Sequence, residues 1–245
     1  MRKKKNPNEM SLSEHVKELK NRLIVIIIVF LIVFIASYIE SNHILKFFMT
    51  LGEEIGYEFI YLSPQEVIIQ QFRLAGVTAL ICDLPVIVYQ IIVFISPAID
   101  NKKSFLSLLL VCIIAIILFL LGAIFAYKIL LPFVYKFLYD IGTATNILAQ
   151  ISIKEYITLF ITIETCMGII TELPLICIVL TKIGVLTTKT MITIRPYVIV
   201  IMLILSAIIT PPDVVSQLMI AIPMICLYQL SIFICKVIKG DKQNE

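Results

Sequence analysis

Three acidic residues of this sequence stand inside long apolar stretches, and a polar amide stands in another. The acids are Asp83, Glu164 and Glu172, and the amide is Gln217. An ionisable side chain within a membrane-spanning helix is costly, so it normally faces protein or water and has a function. Asp83 and Glu172 therefore have two open interpretations. They form an intramembrane polar site, or they are protonated acids that hydrogen-bond to a neighbouring helix.

A second group of charged residues lies at 11–23, directly before the first apolar run. Ser11 and Glu14 have the spacing of a capping box, which predicts that a helix begins here. Four apolar residues recur at helical spacing and form one stripe: Leu12, Val16, Leu19 and Leu23. Glu18 lies four residues before Arg22, the favourable order for an ion pair on a helix. From the pattern alone, Glu18 is either part of a solvated ion pair or a carboxylate that binds a ligand.

Several kinds of chemistry have no motif in this sequence. It contains no Gly-x-Ser-x-Gly, no His-Glu-x-x-His and no phosphate-binding glycine loop, which argues against an intramembrane protease and an ATPase. The only histidines are His15 and His43, and the six cysteines lie in apolar runs, so we predict no metal site. The net charge of +3 gives no reason to expect nucleic acid. We therefore predict a binding or conducting protein that is not an enzyme and has no cofactor.

The elements that position these residues must be membrane-spanning helices. The 245 residues are 60% hydrophobic and 15% charged, with a mean hydropathy of +1.03, which is too apolar for a water-soluble fold of this length. The run 104–127 carries no charge and is long enough to cross about 30 Å of hydrocarbon. We predict an all-α integral membrane protein with one domain, 1–245, in which six transmembrane helices form a bundle.

The predicted spans follow the apolar runs. After an amphipathic N-terminal segment at 1–21, they cover about 22–39, 66–95, 104–127, 156–181, 196–210 and 214–235. Pro85 predicts a kink in the second span, and the third span is expected to continue as a helix beyond the membrane, where Pro132 interrupts it. The fifth span is predicted to be short. The polar segment 40–64 carries aromatic residues that suit an interfacial cap.

The last two predicted spans are separated by a rigid turn. Thr210, Pro211, Pro212 and Asp213 leave room only for a tight reversal, and Asp213 is placed to cap the helix that follows. Gln217 comes one turn later, where it can hydrogen-bond across the bundle.

The distribution of basic residues predicts the orientation. Of the 20 lysines and arginines, 15 fall in segments on the side of the N-terminus, four fall on the opposite side, and Arg73 lies within the second span. By the positive-inside rule, both termini are expected in the cytoplasm.

Taken together, motifs along nearly the whole chain resemble the TatC family, the multi-span subunit of the twin-arginine protein translocase. The family's N-terminal signature is met by His15, Glu18, Leu19, Arg22 and Leu23, with Val16 in place of a leucine and Lys20 in place of an arginine. The further matches are Leu62 to Glu66, Leu84-Pro85, Tyr89-Gln90, Phe94, Pro97, Phe119, Gly122, Phe125 to Tyr127, Pro132, Glu172 to Pro174, Gly184, Arg195 to Tyr197, Thr210 to Asp213, Ser216-Gln217, Pro223 and Tyr228.

The resemblance implies a concave six-helix bundle that binds twin-arginine signal peptides and exports folded proteins with the protonmotive force. It implies signal-peptide contacts at His15, Glu18, Leu19 and Arg22, with the Glu18 carboxylate as the bidentate partner of a guanidinium. A second family carboxylate lies in the loop after span two, where this sequence has Lys103 and its nearest acid is Asp100. Either Asp100 replaces that carboxylate, or Glu18 acts with uncharged acceptors.

The resemblance also implies partners and a location. The partners are signal peptides of folded cargo, single-span TatA- or TatB-type subunits, other TatC copies and membrane lipid. Glu172 matches the family's intramembrane polar site, to which we also assign Gln217 and Asp83. The expected location is the bacterial cytoplasmic membrane, or the thylakoid membrane for a plastid-encoded chain. The alternative function is a small multi-pass transporter or channel in which Asp83 and Glu172 form a proton or ion path.

Overall fold

The described part of the chain, which in this computed structural model covers residues 12–95, 104–144, 149–182, 184–211 and 213–239, has one π-helical turn besides nine α-helices and two short strands. In chain order they are α1 (Leu12–Ile39), α2 (Ser41–Ile55), β1 (Glu58–Ile60), α3 (Pro64–Ile95), α4 (Ser104–Phe125), α5 (Leu131–Thr143), β2 (Gln150–Ser152), α6 (Ile153–Ile170), α7 (Leu173–Lys182), α8 (Thr188–Ile209) and α9 (Val214–Lys239).

Six stretches of these helices are long and apolar enough to cross a membrane. They are Val16–Ile39, Pro64–Ile91, Leu109–Thr143, Ile153–Lys182, Thr188–Ile209 and Val214–Ile238. Their outward-facing leucine, isoleucine and valine side chains remain exposed in the isolated chain, as expected for surfaces that meet lipid. The prediction of a helical six-span membrane protein is confirmed.

Helix α3 packs against α1, α2, α4 and α6. Its partner α1 runs antiparallel to it, since Arg22 near the start of α1 contacts Gln90 near the end of α3. At the other end of the pair, the rings of Tyr38 and Phe72 lie 4.4 Å apart. This antiparallel pairing brings the N-terminal segment to the end of α3.

A cap built from α2, α5 and two strands lies at the end of the bundle opposite to Arg22. The strands β1 and β2 pair in parallel, with Phe59 opposite Ile151. The segment 40–64, which the sequence predicted only as a polar cap, contains the helix α2 and the strand β1. Strands of three residues are too short to show the alternation that predicts a strand, so the pairing was not predicted.

Three buried or half-buried tyrosines connect the parts of this cap. The Tyr57 hydroxyl donates to the Tyr135 carbonyl at 2.9 Å, and the Tyr135 hydroxyl donates to the Tyr156 carbonyl at 2.7 Å. The Tyr156 hydroxyl in turn donates to the Phe48 carbonyl at 3.0 Å. Burial raises the pKa of Tyr57 to about 12, with smaller contributions from Asp140 and Tyr139. Its hydroxyl therefore remains a donor at physiological pH.

The predicted continuation of the third span as a helix is correct, and the structure shows how the chain accommodates Pro132. Residues Ala126–Leu130 form a π-helical turn between α4 and α5, in which the Leu131 amide donates to the Ala126 carbonyl five residues earlier. Because proline has no amide hydrogen, a local change of hydrogen-bond register is one way to pass it without ending the helix.

The fourth span is interrupted by a turn at Thr171 and Glu172, which separates α6 from α7. One expectation about helix boundaries is wrong. The helix of the fifth span is not short, because α8 begins at Thr188, eight positions before Pro196, with Thr187 as its N-cap. Pro196 lies inside α8, so a proline was misread as a helix start.

Candidate functional site

The N-terminal part of α1 holds a cluster of three polar side chains from two helices. Arg22 donates through Nε, at 3.1 Å, and through Nη2 to the same oxygen of Glu18, Oε1. Its remaining nitrogen Nη1 donates to Gln90 Oε1 on α3 at 3.0 Å. The side chains of Arg22 and Glu18 are only 19% and 23% exposed. The predicted helical ion pair is present, but it is half-buried rather than solvated.

The second carboxylate oxygen of Glu18 is in a different environment. Oε2 is buried and makes no hydrogen bond to any residue in the described part of the chain. A carboxylate offers about four lone-pair positions, so Glu18 retains unused capacity to accept hydrogen bonds. The cluster therefore combines a carboxylate held by Arg22 with a second, buried oxygen whose hydrogen-bonding capacity the described residues leave unused.

The other residues predicted at this site are described only in part. Leu19 is exposed on α1, and the backbone of His15 is helical while its side chain lies outside the described part of the chain. Asp100 and Lys103 lie outside the described residues. Gln90 was predicted only as a family match, without a contact, because 68 residues separate it from Arg22.

Glu172 occupies the turn between α6 and α7 and is half-buried. The turn is fixed from within, since the Thr171 hydroxyl donates to the carbonyls of Met167 at 3.0 Å and Gly168 at 2.7 Å. It is fixed from outside by Gly122 of α4, where an added Cβ would lie 2.2 Å from Thr171 Oγ1. The close approach of α4 thus sets the position of the turn that carries Glu172.

Asp83 lies on the buried face of α3 and has no exposed surface in the chain. Neither of its carboxylate oxygens finds a hydrogen-bond partner among the described residues. A buried acid without a partner is strongly disfavoured in its charged form. Its position makes Asp83 inaccessible to a partner helix, unlike Glu172.

The α8–α9 turn is held by two polar side chains, that of Gln217 on α9 and that of Asp213 directly before it. The Gln217 amide nitrogen donates to the Leu203 carbonyl at 3.0 Å and so joins α9 to α8. The Asp213 carboxylate accepts from the Ser216 amide at 2.6 Å, as an N-cap does. The Asp213 amide donates to the Pro211 carbonyl at 2.7 Å, and Pro212 lies outside the described residues. These contacts indicate a structural role for the turn.

No group of three or more histidine, cysteine or acidic side chains that could hold a metal ion occurs in the described ranges. The site is therefore built from carboxylates, one guanidinium and amides.

Comparison with known proteins identifies the family. A family model described as the Sec-independent protein translocase protein (TatC) matches residues 14–223. The chain belongs to the TatC family. It is 39% identical over 244 residues to the TatC protein of Aquifex aeolicus (strain VF5), a match that covers 96% of this chain and 98% of that one. It is 32% identical over 231 residues to TatCy of Bacillus subtilis (strain 168), covering 94% and 90% of the two chains.

Solved structures agree with this assignment. A crystal structure described as the twin arginine translocase receptor TatC superposes with a TM-score of 0.85 at 34% identity, and the match covers 93% of this chain and 100% of that one. A second, in the detergent DDM, gives a TM-score of 0.80 at 37% identity over 91% and 100% of the chains. Membership of the TatC family makes the chain a multi-pass membrane subunit of a protein translocase and not an enzyme. The alternative of a small transporter or channel is not favoured.

Proposed function

We propose that this TatC-family chain is the receptor and core subunit of a twin-arginine translocase, which binds twin-arginine signal peptides and exports folded proteins with the protonmotive force. The observation that carries the proposal is the Glu18 carboxylate, which accepts two hydrogen bonds from a guanidinium, that of Arg22, in this structure. Guanidinium and carboxylate groups have matching fork geometry, so a peptide arginine is a natural ligand for the same group. The similar protein of known crystal structure is described as a twin arginine translocase receptor, which supports the proposal.

The peptide would meet Glu18 on the cytoplasmic side of the membrane. The excess of lysine and arginine in segments on the side of the N-terminus supports this orientation, with both termini in the cytoplasm. We place the protein in the bacterial cytoplasmic membrane, or in the thylakoid membrane if the chain is plastid-encoded. A signal peptide on an unexported protein would reach this face first.

A second acceptor for the twin arginines remains a proposal. Lys103 occupies the position of the usual loop carboxylate, so either Asp100 supplies that charge or Glu18 binds with uncharged acceptors.

For single-span TatA- or TatB-type partners, we propose Glu172 as the main intramembrane contact. Glu172 is half-buried on a turn, whereas Asp83 is fully buried and Gln217 uses its amide nitrogen on Leu203. Of these three, Glu172 is the one placed to offer a polar group to another helix within the membrane, where such a hydrogen bond contributes to association. Asp83 and Gln217 then have supporting structural roles, and other TatC copies and lipid would cover the exposed apolar faces.

The proposal is tested by measuring peptide affinity. A fluorescent twin-arginine signal peptide is titrated with the purified chain in detergent, and anisotropy gives the dissociation constant. Replacement Glu18→Gln keeps the shape but removes the charge, and loss of a charge-assisted hydrogen-bonded pair should weaken binding about 10- to 100-fold. Glu54→Gln, at an exposed glutamate of α2 in the opposite cap, is the matched control and should bind as the unmodified chain does. Equal affinity for Glu18→Gln and the control would refute the role of Glu18.

A further inference from the structure

The guanidinium of Arg22 occupies one oxygen of the Glu18 carboxylate, the group that in the proposed function binds the signal peptide. Both Nε and Nη2 of Arg22 donate to Glu18 Oε1, while Glu18 Oε2 accepts from no residue in the described ranges. The best guanidinium–carboxylate pair is fork-to-fork, with two nitrogens on two oxygens. The internal pair is therefore incomplete, and a guanidinium that used both oxygens would be a better partner.

Arg22 also has a hydrogen-bond acceptor outside Glu18. Its Nη1 lies 3.0 Å from Gln90 Oε1, so the side chain spans the gap between α1 and α3. If Arg22 releases Glu18, the Gln90 amide oxygen still satisfies part of the guanidinium and keeps it near α3. Without Gln90, a displaced and largely buried arginine would lose its remaining described acceptor, which is expensive for a charged group.

We infer that Arg22 is an internal guanidinium that a signal-peptide arginine displaces from Glu18, and that Gln90 is the positioning residue that retains Arg22 after the exchange. This inference rests on the proposed function of Glu18 and adds two residues that set the affinity of the same site. In the free chain, Arg22 lowers the fraction of receptor whose carboxylate is open, and the apparent affinity equals the intrinsic affinity multiplied by that fraction. The exchange keeps the carboxylate paired before and after binding, so it is never left buried and uncompensated.

One substitution at this site should raise the affinity for the peptide rather than lower it. Replacement Arg22→Gln removes the competitor, so it should tighten binding of a twin-arginine peptide, although it deletes a charge from the site. A partly exposed helical ion pair shifts an equilibrium by about two- to fivefold, which is the expected gain in affinity. Arg22→Lys keeps the charge but cannot donate through three forked nitrogens, and it should give an intermediate affinity.

The role of Gln90 is tested by coupling. Gln90→Leu removes the acceptor that receives Arg22, so exchange becomes more costly and affinity should fall about threefold. In the Arg22→Gln background, the same Gln90→Leu change should leave the peptide affinity unchanged, because there is no Arg22 guanidinium for Gln90 to retain. A merely structural role of Gln90 would lower affinity equally in both backgrounds, so the double-mutant cycle separates the two.

All variants are measured with the full-length chain in detergent against the twin-arginine peptide, with a twin-lysine peptide as the specificity control. Unfolding temperatures confirm that each variant is folded, and Arg22→Lys replaces Arg22→Gln if the latter does not fold. Tighter binding for Arg22→Gln together with a silent Gln90→Leu in that background supports the inference. Unchanged or weaker binding for Arg22→Gln overturns it, provided that Glu18→Gln still loses binding. If Glu18→Gln binds normally, the proposed function itself has failed.

Discussion

The contact between Gly122 and the α6–α7 turn gives the sharpest prediction about stability. A Cβ added at Gly122 would lie 2.2 Å from Thr171 Oγ1, 2.8 Å from Thr171 Cγ2 and 2.8 Å from the Met167 carbonyl oxygen. The Thr171 side chain cannot simply rotate away, because its hydroxyl donates to two backbone carbonyls. The Met167 carbonyl belongs to the backbone of α6. For Gly122→Ala, therefore, α4 and α6 must separate by roughly 1 Å to reach ordinary contact distance.

The expected cost follows from two opposing terms. Overpacking a close contact costs about 1–3 kcal/mol, with the upper part of that range applying where backbone must move. Alanine in place of glycine within a helix returns up to about 1 kcal/mol. The net destabilisation is then about 1–2 kcal/mol, which for a chain of this size lowers the unfolding temperature by roughly 2–8 °C.

The assay is thermal unfolding in detergent, with Gly76→Ala as the matched control. Gly76 is also a glycine within a long helix, but its added Cβ would meet only Phe34 Cε2 at 3.8 Å, an ordinary contact. Thr171→Ala should partly rescue Gly122→Ala, since it removes two of the three close atoms. If Gly122→Ala is as stable as Gly76→Ala, α4 does not hold the turn that carries Glu172.

Two further predictions concern the cap and the α8–α9 turn. Because the pKa of Tyr57 is raised from 10.0 to about 12, first by burial and then by Asp140 and Tyr139, the folded chain keeps a proton that the unfolded chain releases above pH 10. Its contribution is complete below pH 10 and is lost as the pH rises to about 12, so the unfolding temperature of Tyr57→Phe should fall less steeply than that of the unmodified chain across this window. Asp213→Ala removes the acceptor of the Ser216 amide and should cost about 1 kcal/mol, whereas Asp213→Asn keeps an acceptor and should cost less. Equal losses for Asp213→Ala and Asp213→Asn in thermal unfolding would mean that charge, not capping, is what this position supplies.

The six spans could be predicted because hydrocarbon imposes a strong requirement on sequence. A run of about 20 apolar residues has few other uses, and Ser104–Phe125 is such a run. Breaks within the runs are harder to predict, because a helix can accommodate a proline in several ways. Pro132 is passed by a π-helical turn, Pro174 follows a break in the helix, and Pro196 lies inside α8. The choice among them depends on neighbouring helices, which the local sequence does not specify.

The contacts of the candidate site likewise include some that the sequence predicts and some that depend on how the helices pack. The contact of Glu18 with Arg22 follows from a spacing of four residues on one helix, so the sequence predicts it. The contact of Arg22 with Gln90 depends on the antiparallel packing of α1 on α3. Burial of Asp83 is also a tertiary property, because helical position alone does not tell which face of a membrane helix meets protein. The sequence thus predicts the carboxylates but not which of them a partner can reach.

The two carboxylates to which we assign function are positioned by different means. Glu18 lies within a regular helix and is oriented by side chains, Arg22 beside it and Gln90 across from it. Glu172 stands where the helix is interrupted, and the backbone of its turn is held by the Thr171 hydrogen bonds and by the close approach of Gly122. Side-chain contacts can exchange partners without moving a helix, which suits a group that binds and releases peptides. The backbone under Glu172 can move only if α4 and α6 shift, so rotation of the Glu172 side chain is left to carry its carboxyl towards a partner helix.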